Sequence, residues 1–242
     1  MPNSAARSLR LKLLAFETAT EACSVALWID GQVRERFEIA PRRHAELALP
    51  WAEALLAEAG LAKSQLDAIA VGRGPGAFTG VRLAIAVAQG IALALDKPAV
   101  PVSTLAALAM RGEGPRMLAA IDARMGEVYA AAFRREGEEL ALQSTETVGA
   151  PHDVRLPDSE PDWEGVGTGF AAAEGYLQRS LVSQLRRVDA TALPHAADVA
   201  RLAAAAFARG ESVAPERLEP AYLRDNVALT LAQQQALRDS RR

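Results

Sequence analysis

Residues 68–95 read AIAVGRGPGAFTGVRLAIAVAQGIALAL. A short apolar run leads into a glycine-rich loop at 72–80, then into a stretch, 81–95, whose polar side chains are Arg82 and Gln89. A helix apolar around most of its circumference must be buried on more than one side. The segment therefore demands a layered α/β fold, with the helix on a sheet and a second surface against its other flank. It does not read as a membrane span. Its longest apolar stretch, 83–95, is interrupted by Gln89 and Gly90, and a span needs roughly 20 residues.

Strands precede this unit. Residues 11–16 (LKLLAF) read as a buried strand, followed by 24–30 (SVALWID) and 33–39 (VRERFEI). Asp30-Gly31 between the last two is a strong hairpin signal. Val25, Leu27 and Ile29 share one face; Val33, Glu35 and Phe37 alternate with Arg34, Arg36 and Glu38. The three predict an antiparallel meander. Over 45–59, Leu47, Trp51, Leu55 and Glu58 recur at helical steps, with Gly60 as a stop and Pro50 as a late start or a kink. A strand at 68–71, the helix at 81–95, a strand at 99–102 and a short helix capped by Ser103 or Thr104 complete the first half. The order β-β-β-α-β-α-β-α matches one ribonuclease-H-like unit, and two such units make the actin/Hsp70/sugar-kinase architecture.

RGEGPR, residues 111–116, is the best linker, with two glycines, a proline and three charges. Strands at 117–121 and 127–133 follow, then a Pro- and Asp-rich loop over 150–165, and helices at 171–181 and 196–208. The expected division is an N-terminal lobe at 11–111 and a C-terminal lobe at 116–225. Residues 1–10 and 229–242 are expected to be flexible tails, and 1–10 lead into no signal-peptide core.

Composition bounds the partners. Net charge is −3, which excludes a broadly basic nucleic-acid binder but not a local basic patch. One cysteine, Cys23, excludes an internal disulfide framework and a multi-cysteine zinc site. It reads as a buried structural thiol, and the chain as soluble and cytoplasmic. Fifty-two alanines and only twelve aromatics call for a core of Leu, Val and Ile with close Ala contacts.

Several segments carry candidate chemistry. The glycine run could cradle phosphate on backbone N–H groups, with Gly74 and Gly76 as candidates. It lacks the Lys of a P-loop and the spacing of a dinucleotide fingerprint. Close packing at a tight turn explains the same glycines. Glu17-Thr18-Ala19-Thr20 follows the first strand; Thr18 and Thr20 could hold a phosphate, or simply shape the turn. His44, His152 and His195 show no metal-ligand spacing and read as capping or surface residues. Asp122-Ala-Arg124-Met-Gly126-Glu127 and Arg224-Asp225-Asn226 fit a reaction centre and an ordinary turn equally well.

Taken together, LLAFETATEACSVALW (13–28), residues 68–93, VSTLAALA (102–109), IDARMGEVY (121–129) and PAYLRDNVA (220–228) closely resemble the bacterial TsaB family, which takes part in making threonylcarbamoyladenosine on tRNA. The resemblance runs from about residue 11 to about 228. It implies an α/β fold of two ribonuclease-H-like lobes of the actin/Hsp70/sugar-kinase type, and a non-catalytic subunit with no resident metal or cofactor. The implied partners are TsaD, which carries catalysis, and TsaE, which supplies ATP-dependent turnover. Contact with tRNA is implied only through the complex, and a homodimer when the chain is alone. TsaD holds a metal partly through a His-x-x-x-His pair; the comparable stretch here, 101–107, has no histidine. The family usually has Asp where this chain has Glu17, which weakens a phosphate or metal role for that residue.

The resemblance gives the alanine-rich helix a purpose. Ala84, Ala88 and Ala92, four apart, would form a close-approach face, joined by Trp51 and Leu55 of the preceding helix. That face is the expected partner interface, with a purely internal packing role as the alternative. Two other functions remain open: an ATP-dependent phosphotransferase of the same superfold, and a peptidase. The chain has no visible Ser-His-Asp or His-Glu-x-x-His arrangement for the second.

Overall fold

The computed structural model describes residues 11–224. The expected tails at 1–10 and 229–242, and residues Asp225 and Asn226, lie outside the described residues. Within them the elements are β1 (Lys12–Glu17), β2 (Ala22–Ile29), β3 (Gln32–Ile39), α1 (His44–Glu58), β4 (Ala68–Gly72), α2 (Phe78–Leu95), β5 (Ala99–Val102), α3 (Thr104–Ala109), β6 (Arg116–Arg124), β7 (Glu127–Glu136), β8 (Glu139–Leu142), β9 (Thr147–Gly149), β10 (Trp163–Val166), α4 (Ala172–Ser180), β11 (Leu185–Asp189) and α5 (Ala196–Ala208).

The first sheet has the order β3-β2-β1-β4-β5. β1, β2 and β3 form the antiparallel meander, and β4 and β5 add in parallel. The second sheet has the order β11-β10-β6-β7-β8, with β9 paired to β7. β6, β7 and β8 are antiparallel, and β10 and β11 parallel to β6. The two sheets thus repeat one strand order, a relationship that the sequences of the halves do not display. The fold is α/β, two ribonuclease-H-like units of the actin/Hsp70/sugar-kinase type.

Sequence periodicity and structure agree most closely in the first half. Val25, Leu27 and Ile29 face α1 and α2, as their alternation requires. α1 begins at His44 and runs straight through Pro50, which is exposed. α2 starts at Phe78, a turn earlier than its apolar pattern. Ser103 caps α3, its side chain accepting from the Ala106 N–H at 3.1 Å. In the second half, part of the expected 150–165 loop is β10, a four-residue strand buried along its length. β10 is too short to declare itself among its Pro and Asp neighbours.

The helices do not respect the linker. α5, from the second half, packs Ala196, Val199, Ala200 and Ala203 on Leu13, Ala15, Ala26 and Ala70 of the first sheet. α3, from the first half, packs Leu105, Leu108 and Ala109 on Met117, Ala119 and Ile121 of the second. The first sheet is thus built from residues 12–102 and the second from residues 116–189, while α3 and α5 each cover the sheet of the other half. Alanine makes this possible: small side chains let α5 lie close on a sheet whose own facing residues are largely Ala and Leu.

α2 is 18 residues long with a mean hydropathy of 1.7 and a third of it buried. By length and composition it could cross a membrane. In the fold its inner face lies on the first sheet, and the Gln89 side chain donates to the carbonyls of Pro215 and Leu218 at 3.0 and 3.1 Å.

Candidate functional site

A cleft of about 800 Å³ opens between the lobes. One wall is made by the loop after β1 and the glycine run before α2. The two loops are locked together: Ala77 N–H donates to the Ala19 carbonyl at 2.7 Å, and the Thr18 hydroxyl to the Gly80 carbonyl at 2.7 Å. A Cβ at Gly80 would overlap the Thr18 carbonyl, and one at Gly76 would lie 2.5 Å from the Ala19 carbonyl. These two glycines therefore serve close backbone approach.

Of the four phosphate candidates, Thr20 and Gly76 line the cleft. Thr18 is buried with its hydroxyl already bonded. Gly74, followed by a cis peptide to Pro75, turns its N–H to the Thr104 hydroxyl at 3.2 Å.

Glu17 does not face the cleft. It is buried at the end of β1, accepting from the Ala19 N–H at 2.7 Å and the Thr104 hydroxyl at 2.9 Å. Burial pushes its carboxyl up to about 7, against the lowering effect of those bonds. Glu17 is thus an internal polar tie under the glycine loop.

The other wall is the β6–β7 hairpin. Arg124, Met125 and Gly126 all have positive φ, and the Arg124 N–H donates to Asp122 at 2.8 Å. Met125 at the tip is 89% exposed. A terminal segment spans the two walls. Its Ala221 N–H donates to the Arg73 carbonyl at 2.8 Å. Tyr222 accepts from Arg82 at 2.6 Å, while Arg224 bonds the Ala123 carbonyl at 3.3 Å and the Glu127 carboxylate. Arg73 adds a tie of its own to Glu146 at 3.4 Å. None of these arginine contacts carries a local sequence signal, because each joins residues far apart in the chain.

The histidines go to separate places. His44 meets the Thr20 carbonyl at 3.0 Å on the cleft wall. His152 lies on the surface beside Asp153, and His195 pairs with Glu35 at 2.9 Å. No group of three or more His, Cys, Asp or Glu suited to a metal occurs among the described residues. Cys23 is fully buried, and burial pushes its thiol up to about 11, with Glu38 contributing.

The expected interface face is turned inward. Ala84, Ala88 and Ala92 are buried in the first lobe's core together with Leu55; Ala88 is 0% exposed. Their small side chains bring α2 close to its own sheet, so they cannot meet a partner. Trp51 is half-buried against the same core. The opposite side of α2 is the open one. Ala86, Gly90 and Leu93 are exposed and Leu83 is half-buried. A Cβ at Gly90 would meet nothing within 4 Å.

Known proteins match this architecture along nearly the whole chain. A family model described as TsaD, tRNA N6-adenosine threonylcarbamoyltransferase, matches residues 37–231. The tRNA threonylcarbamoyladenosine biosynthesis protein TsaB of Escherichia coli is 44% identical over 225 residues, 90% of this chain and 96% of the relative. The chain belongs to the TsaB family. The Haemophilus influenzae TsaB is 37% identical, across 90% of this chain and 95% of its own. A solved Pseudomonas aeruginosa structure, described as an uncharacterized protein with similarity to peptidase YEAZ, superposes with a TM-score of 0.83. It is 48% identical and covers 88% of this chain and 100% of its own. As a TsaB-family member the chain is a tRNA threonylcarbamoyladenosine biosynthesis protein.

Proposed function

We propose that the chain is the non-catalytic partner subunit of the tRNA N6-adenosine threonylcarbamoyltransferase. It pairs with TsaD, and TsaE docks on the pair to supply ATP-dependent turnover in the cytoplasm. The observation that carries this is the outer face of α2. Leu83, Ala86, Gly90 and Leu93 follow 3-4-3 spacing, the repeat of a helix-packing seam. Gly90 and Ala86 at its centre would let a partner helix come close, and Leu93 is 54% exposed. Leu49 of α1, a helix that packs into the same core as α2, is also exposed. An exposed apolar seam along one helix face marks an interaction site.

The same face would let two copies associate when TsaD is absent. The cleft supports the non-catalytic reading: its glycine loop is occupied by loop-to-loop bonding, and Glu17 is withdrawn beneath it. Co-purification of the full chain with TsaD tests the pairing. Gly90→Arg should abolish it with the thermal melt of the isolated chain unchanged. A complex that forms normally with that variant would refute the pairing through α2.

A further inference from the structure

We infer that the mouth of the interlobe cleft is a binding shelf for single-stranded RNA, contacted directly by this chain. The inference rests on the tRNA-modification role just proposed, and deepens it by assigning the RNA contact to a defined site.

Three observations carry it. The first is charge. The protein as a whole is acidic, with a net charge of −3, yet the cleft is lined by Arg42, Arg82, Arg124 and Arg224 against two carboxylates, Glu21 and Asp122. Arg224 pairs with Glu127. Arg124 has Asp122 only at 3.9 Å and is highly exposed. Arg42 and Arg82 have no carboxylate within 4.0 Å among the described residues. A local cationic site of this kind is what a polyanion requires.

The second is stacking. The Arg82 guanidinium lies 3.3 Å from the Phe78 ring centroid and 5.0 Å from that of Tyr222. Phe78 is 62% exposed and Tyr222 60%. Large exposed aromatics held beside an arginine plane offer faces on which unstacked bases can sit, and every base has such a face.

The third is arrangement. The cations come from four separate segments: the turn after β3, the first turns of α2, the β6–β7 tip and the segment 220–224. A spread of single charges suits a backbone with successive phosphates. It does not resemble a grip on one triphosphate, since the Thr18 hydroxyl and the Gly74 N–H beside it are already bonded inward.

The test is fluorescence anisotropy with a labelled, unmodified anticodon stem-loop RNA. It is run on the full chain and on its complex with TsaD, with duplex RNA and AMP as competitors. Phe78→Ala and Arg42→Glu should each weaken binding about tenfold, the order expected for losing one stacked base or one phosphate contact. Raising salt from 50 to 200 mM should weaken it about twentyfold if three arginines each hold a phosphate. Duplex RNA should compete poorly. Thermal melts of the variants guard against misfolding, and both variants should still co-purify with TsaD, so that loss of RNA binding is distinct from loss of pairing. Three results would overturn the inference: no RNA binding by chain or complex beyond TsaD alone, equal binding by the variants, or competition by AMP as effective as that by the stem-loop. The last would make the cleft a mononucleotide pocket.

Discussion

Glu35 of β3 and His195 at the entry to α5 are 160 positions apart in sequence and meet at 2.9 Å. The same carboxylate accepts from the Ser24 hydroxyl at 2.7 Å and the Ala197 N–H at 3.0 Å. The Phe37 ring stacks on His195 with centroids 4.0 Å apart. Glu35 thus satisfies the open N-terminus of a helix whose own N-cap offers no side-chain bond. It is the polar clamp that docks a second-half helix onto the first sheet.

Removing that clamp should loosen α5. Glu35→Ala leaves two donors and His195 without their partner, a loss of about 2–3 kcal/mol, or roughly 5–10 °C in a chain of this size. Burial alone would raise the Glu35 carboxyl, but bonds from His195, Ser24 and Ala197 outweigh it and hold it below the usual carboxylate range. A lowered carboxyl contributes stability above its unfolded value and loses it as pH falls. The gap in melting temperature between parent and variant should therefore be full at pH 7 and narrow below about pH 4.5. Calorimetry across that range measures it.

Glu17 carries the opposite sign. Its carboxyl is held at about 7 against an ordinary 4.5, so the folded chain keeps a proton that the unfolded chain releases. Stability from this group is present below pH 4.5 and declines as pH rises to 7, by about 3 kcal/mol in all. Glu17→Gln preserves the shape: its amide can donate to Thr104 and its oxygen accept from Ala19. The variant should show a flatter stability curve between pH 5 and 8, and a higher melting temperature than the parent at pH 8. A curve with the parent's slope would contradict the placement of that proton.

The two faces of α2 should respond differently to the same substitution. Ala88→Arg forces a charge into the first lobe's core and should leave little folded protein, since an unpaired buried charge costs several kcal/mol. Ala86→Arg points to solvent and should change the melt of the isolated chain by less than about 0.5 kcal/mol, while abolishing the pairing with TsaD. Circular dichroism and co-purification, run in parallel on both variants, separate the two effects.

Those two positions also mark what sequence could reveal. The run 81–95 was legible as a helix needing burial on more than one side, because nearly every residue in it is apolar. Which side faced the sheet was not legible: Ala84, Ala86, Ala88, Ala92 and Ala94 are identical in type. Only the placement of β4 and α1 decides among them. The meander, the glycine loop and the caps at Ser103 and Gly60 were readable because each depends on neighbours within a few residues. The exchange of α3 and α5 between sheets, the clamp of Glu35 on His195, and the arginine ties of Arg73, Arg82 and Arg224 were not readable. Each joins distant segments by side chains that look like ordinary surface charges in sequence. Glu17 stands in sequence at the start of a hydroxyl-rich turn, and its burial beneath the glycine loop has no local sign.

Cys23 offers a probe of the core. It is buried and its thiol is raised to about 11, so almost no thiolate exists at pH 8. A thiol reagent such as DTNB should leave the native chain unmodified and react fully once denaturant unfolds it. Rapid reaction with the native chain would contradict the packing of β2 against α1.

On the function proposed above, this chain supports threonylcarbamoyl transfer without carrying it out. The direct measurement is reconstitution from purified TsaD, TsaE, the adenylate-forming enzyme, unmodified tRNA, ATP, threonine and bicarbonate, with and without this protein. The expected result is robust formation of threonylcarbamoyladenosine only when the chain is present, and none when it replaces TsaD. Equal modification in its absence, or modification by the chain without TsaD, would overturn that function.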